Sequence, residues 1–64
     1  MKTNDAIVAA FNAYVEENDK FVNKGVKAAA ARARKALLDL AKLAKVRRAE
    51  ITAEKDAKQS IYLN

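Results

Sequence analysis

The 64-residue chain has no cysteine, no histidine, no proline and no tryptophan, and it has a single glycine. Each absence excludes something. Without cysteine there is no disulfide framework, no thiolate nucleophile and no thiolate metal site. Without histidine the commonest general base and the commonest metal ligand are gone, so neither a metal nor a cofactor is expected. With so little glycine and proline, turns have almost nothing to be built from. Long apolar runs are missing as well. The stretch from Ala6 to Phe11 falls far short of the roughly 20 residues of a membrane span, so no membrane partner is expected. Its acidic surroundings, Asp5, Glu16 and Glu17, do not fit a signal sequence.

What is present is strongly helix-forming. Fifteen residues are alanine, and Lys, Leu, Glu and Arg supply much of the rest. A chain of this length is one small domain, residues 1–64. Such a domain has almost no interior from which to make a water-excluding pocket. The carboxylates, lysines, serine and tyrosines are therefore read as solvated helix faces, and the protein is not expected to be an enzyme.

Charge is unevenly placed. The net charge is +5, but residues 1–23 carry a net −2 and residues 24–64 a net +7. Between positions 24 and 48 nine basic residues face Asp39 alone. A solvated helix face normally mixes signs, whereas a one-sign stripe is the footprint of nucleic acid or another anionic surface.

The apolar pattern predicts two helices. The first spans about residues 4–23, starting at Thr3, Asn4 and Asp5, whose side chains suit an N-cap and the positive end of the helix dipole. Its apolar stripe is Ile7, Phe11, Tyr14, Phe21 and Val22, with Val8 and Val15 beside it. Phe11, Tyr14 and Phe21 are expected in the core, and Asn18 interrupts the stripe. Gly25 is the one strong stop signal, so a turn is placed at about 23–26, although Val26 and Lys27 offer no cap to a second helix. The alternative is one continuous helix through Gly25, at a cost of about 1 kcal/mol. A second helix over about 26–59 has apolar Val26, Ala29, Ala30, Ala33, Leu37, Leu40, Ala41, Ala44 and Ile51 on one side. Lys27, Arg34, Lys35, Lys42 and Lys45 fall on a roughly opposite arc, with Lys24, Arg32, Arg47 and Arg48 near its edges.

The expected fold is all-α: an antiparallel hairpin of a short and a long helix. The first helix is too short to cover the second, so the region of Leu43, Val46 and Ile51 is expected to stay bare in a monomer. For so small a domain, burial barely offsets conformational entropy. A homodimer or higher oligomer is inferred, with two hairpins in a four-helix bundle or coiled-coil arrangement as the expected form. Leu40, Leu43, Val46 and Ile51 are candidate contacts. The apolar stretch Ile61, Tyr62, Leu63 within the tail 60–64 is a candidate docking peptide for another copy or another protein.

The run Lys24-Gly25-Val26-Lys27-Ala28-Ala29-Ala30-Ala31-Arg32-Ala33-Arg34-Lys35, followed by Leu40, Lys42, Lys45 and Arg48, resembles the bacterial linker-histone-like nucleoproteins. That family includes the chlamydial histone-like protein and short relatives in Bacteroidetes. The resemblance covers roughly residues 10–56. It implies a small, dimeric helical protein that binds DNA without sequence preference and compacts it. This chain departs from the family pattern at Val26, where asparagine is usual. It also departs at Ala41, usually acidic, and at Arg47, usually aromatic or apolar. The Lys/Ala/Pro-rich tail of the chlamydial members is not in this sequence, which lowers the expectation of strong compaction.

The candidate DNA-binding residues are Lys24, Lys27, Arg32, Arg34, Lys35, Lys42, Lys45, Arg47 and Arg48. Each phosphate contact releases counterions, so affinity should fall with salt. Nothing in the run has the spacing for base-edge readout, and no aromatic residue interleaves with it for stacking on single strands. RNA is an alternative partner on the same charge. A second function class is a structural helical component of a large assembly, such as a phage virion. The expected setting is the bacterial cytoplasm and nucleoid, or the interior of a phage particle.

Overall fold

In the computed structural model the chain is two helices, α1 (Lys2–Lys24) and α2 (Lys27–Leu63), packed against each other as a hairpin. The backbone is described for residues 1–63 and the side chains for residues 1–57. The long dimension is 58 Å against 15 and 14 Å across.

The turn forms where glycine permits it. Gly25 has φ +69° and ψ 21°, the left-handed conformation that closes α1. The Val26 N–H then donates to the Lys20 carbonyl at 3.1 Å. No side chain caps the start of α2. Its first turn is tightened instead, with the Ala29 N–H donating to the Val26 carbonyl at 3.1 Å.

The start of α1 differs from expectation. Met1 occupies the N-cap position without a side-chain cap, and the helix begins at Lys2. Asp5 lies in the first turn, 3.6 Å from the N-terminal ammonium. Thr3 is not a cap: its hydroxyl donates to Glu50 on α2 at 2.9 Å.

The seam between the helices follows alternating steps of four and three. On α1 it is Thr3, Ile7, Ala10, Tyr14 and Glu17; on α2 it is Ala29, Ala33, Ala36, Leu40, Leu43, Arg47 and Glu50. These are buried or half-buried positions, and Ala29 is fully buried. Such a spacing is the knobs-into-holes repeat of paired helices. Three alanines at the turn end let the backbones approach closely, at the expense of buried area.

Two core expectations are corrected. Phe11 is 52% exposed and Phe21 46% exposed, while Tyr14 is half-buried. Phe11 lies about 100° around α1 from the seam residue Ala10. Phe21 faces the start of α2, where the alanines have no bulk to cover a phenyl ring. The single apolar side expected on α2 also divides in two. Ala29, Ala33 and Leu40 enter the seam, whereas Val26, Leu37, Ala44 and Ile51 stay exposed on its flank.

The Thr3–Glu50 hydrogen bond marks how far α1 reaches along α2. Leu43 is consequently half-buried within the chain rather than bare. Beyond Glu50, α2 continues alone to Leu63, and residues 51–57 are exposed throughout. The expected end of this helix near residue 59 is passed. The side chains of Ile61, Tyr62 and Leu63 lie outside the described residues.

Candidate nucleic-acid interface

At about 100° per residue, Lys27, Arg34, Lys42 and Lys45 fall on the side of α2 that faces away from the seam, and Arg48 falls toward its edge. All five are exposed, as is Lys24 beside the turn. None of these six forms an ion pair among the described residues. From Lys27 to Arg48 the row extends about 32 Å at 1.5 Å per residue. A helix interior holds the backbone of each cation rigid, while the long side chains keep their freedom to track phosphates.

The other three sequence candidates are engaged inside the chain. The Arg32 Nε donates to Glu17 Oε2 at 2.8 Å, tying α2 to α1 next to the turn. Lys35 pairs with Asp39 one helical turn on, at 3.1 Å. Arg47 is not at an edge of the basic arc but on the seam, with its side chain 24% exposed. Its guanidinium meets Glu54 at 3.2 Å and Glu50 at 3.5 Å. Reading the cations alone overlooks these carboxylates. The Arg47–Glu50 spacing of three residues is a helical pairing signal that the sequence carries openly.

Two ionisations are displaced. The hydrogen bond from Arg32 is the largest cause holding the Glu17 carboxyl below its ordinary value, with the charges of Arg32 and Lys20 acting in the same sense and desolvation opposing them. Arg47 is raised above its ordinary value, chiefly by its hydrogen bond to Glu54 and further by Glu50, again against desolvation. Both pairs are thus fixed as ions at neutral pH and consume charge that a ligand would otherwise meet.

The hairpin has two unlike edges. Along the outer side of α1 lie Asp5, Glu16 and Asp19, with Asn12 and Asn23 between and beyond them. Glu16 is held by Lys20 at 3.4 Å, and Asp19 accepts from the Asn23 amide. Along the outer side of α2 lie the unpaired cations. The hairpin is therefore basic on one edge only. Among the described residues there is no group of three or more potential metal-ligating side chains, and no helix is long and apolar enough to cross a membrane.

Of the residues offered as contacts with another chain, Leu40 and Leu43 are half-buried on the seam, while Val46 and Ile51 are exposed. The family model for the histone H1-like protein Hc1 matches residues 1–57. No curated protein and no solved structure matches the chain. The chain belongs to the histone H1-like Hc1 family, which is a histone-like rather than an enzyme family and which points to DNA as the partner.

Proposed function

We propose that this histone H1-like chain binds duplex DNA through phosphate contacts alone, as a homodimer, and compacts the DNA it neutralises. The observation that carries the reading is the row of unpaired cations on the outer edge of α2: Lys27, Arg34, Lys42, Lys45 and Arg48, extended by Lys24 at the turn. Duplex DNA carries one negative charge per ~1.7 Å of axis, so a rigid basic edge about 32 Å long meets many phosphates at once. Alanine and leucine between the cations offer bases no hydrogen bonds, and the absence of a base-reading pattern leaves affinity to charge.

Homodimerisation is supported by what the hairpin leaves uncovered. Val8, Phe11, Val15, Val22, Val26, Leu37 and Ile51 remain exposed on so small a domain. Residence in a bacterial nucleoid follows from the same reading. The alternative, a structural component of a large assembly, draws on the same uncovered apolar residues. It predicts a chain that is polydisperse until its partner is added.

The test is light scattering and fluorescence anisotropy with a DNA duplex of about 30 base pairs across a KCl series, repeated with RNA of the same length. A log–log salt slope of roughly −4 to −5 per chain is expected for about five phosphates. Binding that ignores salt, or no binding at low salt, overturns the proposal.

A further inference from the structure

Most of the exposed large apolar residues gather on one side of the hairpin; Leu38 on the outer edge of α2, Val46 on the opposite side and Phe21 near the turn stand apart. On α1, Val8, Phe11, Val15 and Val22 form one stripe, displaced in one rotational sense from the seam. On α2, Val26, Leu37, Ala44 and Ile51 form another, with half-buried Ala30 in line with them. Because the helices are antiparallel, these two stripes lie on the same side of the hairpin. The other side is recognisable independently: it carries the Arg32–Glu17 pair and the shallow groove lined by Ala6, Ala9, Ala10, Asp39, Lys42 and Leu43. That side holds an ion pair and small alanines, whereas the stripe side presents Phe11, four valines, Leu37 and Ile51 without cover.

Two further features say what covers it. The first is the spacing of the α2 stripe. Leu37 and Ile51 stand seven residues to either side of Ala44. Two such stripes laid antiparallel with Ala44 against Ala44 bring each large side chain opposite a large one of the other copy and the two small ones together. The second is the length of α2. Its last turns run past the end of α1 without a partner, and Ile51 begins that overhang. An antiparallel second copy places its overhang over the turn end of the first, beside Val15, Val22 and Leu37.

Resting on the homodimer and DNA binding proposed above, we infer that two copies pair through α2 about a two-fold axis at Ala44, so that both basic edges lie on one side. The pair then presents a single basic wall, with the cations of both α2 helices flanking the joint and the acidic α1 edges behind it. The residues bordering the joint are Arg48 and Lys55. Of the four carboxylates of α2, Glu50 and Glu54 are turned to Arg47, Asp39 to Lys35, and Asp56 lies about 100° around the helix from Lys55, toward the outer edge. Like charges therefore oppose pairing, and a duplex laid along the wall removes the opposition. DNA binding and dimerisation reinforce each other through that term.

Cysteine cross-linking without DNA tests the geometry. Ala44→Cys forms a disulfide-linked dimer at least ten times faster than Ala9→Cys, which lies on the opposite side of the hairpin. Leu37→Cys and Ile51→Cys each stay unlinked alone and link when mixed, because identical positions are then about 21 Å apart along the joint. Circular dichroism confirms that each variant is folded, and the mixed pair leaves Ala44 intact should Ala44→Cys fail. Linking of Leu37→Cys alone as readily as the mixture overturns the arrangement, as does Ala44→Cys linking no faster than Ala9→Cys. Repulsion between the cations at the joint has its own readout. Without DNA, the dimer dissociation constant falls several-fold between 50 and 500 mM KCl, roughly a tenfold change in ionic strength. A constant that rises with KCl overturns it. Loss of DNA binding with cross-linking intact would sink the DNA proposal and leave the geometry standing.

Discussion

Replacing Ala29 with leucine tests the seam most directly. Ala29 has no exposed surface, and it sits where the two backbones converge at the turn end. Three additional carbon atoms have no room there unless the helices part or the side chain leaves its rotamer. Overpacking of this kind costs about 1–3 kcal/mol. The stability of a chain this size is on the order of 3–10 kcal/mol, from about 0.05–0.15 per residue. One methyl-to-isobutyl change thus removes a large share of it. At about 4–8 °C per kcal/mol for small domains, the midpoint of thermal unfolding should fall by about 4–24 °C. The control is Ala28→Leu, one residue away and exposed. Both variants carry the same loss of intrinsic helix propensity, so their difference isolates packing. The assay is thermal unfolding by far-UV circular dichroism at one protein concentration, so that association contributes equally. If Ala29→Leu melts together with Ala28→Leu, or above the parent, the alanine seam is not what holds the helices together.

Three other outcomes are expected. Gly25→Ala should cost about 1–2 kcal/mol through the left-handed backbone alone, because nothing lies within 4 Å of the added Cβ; denaturant melts that show a far larger loss would point to a clash that is not there. Glu17→Gln should lower stability at neutral pH and cease to matter in acid. The folded-state value of Glu17 lies below its ordinary 4.5, so its contribution is present above that value and is lost as the pH falls through the lowered one. Urea midpoints of parent and variant at neutral and acidic pH should therefore converge on acidification. In DNA titrations, Arg34→Ala and Lys45→Ala should each reduce the salt slope by about 0.9, while Arg32→Ala, whose side chain is held by Glu17, should change it far less. Equal effects at all three positions would mean that intramolecular pairing does not withhold Arg32 from the duplex.

The basic edge was legible in the sequence because helical periodicity is local. Lys27, Arg34, Lys42 and Lys45 recur at intervals that bring them to one side of any helix, whatever the helix packs against. Of the three withheld cations, Lys35 and Arg47 have partners at local helical spacings, and Arg32 does not. Arg32 meets Glu17 across the turn, fifteen residues away, and only the register of the hairpin brings them together. Arg47 continues the seam after Leu40 and Leu43, and its partners Glu50 and Glu54 stand on its own helix, so carboxylates read together with the cations mark it as paired.

Sequence alone determined that the chain is helical, that Gly25 is the one strong stop signal in it and that its charge is concentrated in the second half. Composition, one backbone conformation open to glycine, and the count of cations suffice for that. The tertiary structure decided which face of each helix is inside. Each helix has apolar residues on two adjacent faces about 100° apart, alanine dominating one and valine, phenylalanine and leucine the other, so an apolar pattern by itself does not choose between them. Pairing of the backbones chose the alanine face, because small side chains let the helices come close. That choice left Phe11, Val15 and Leu37 outside. It also brought Arg32 to Glu17 across the turn, whereas the pairs of Lys35 with Asp39 and of Arg47 with Glu50 and Glu54 lie within α2 and need no second helix.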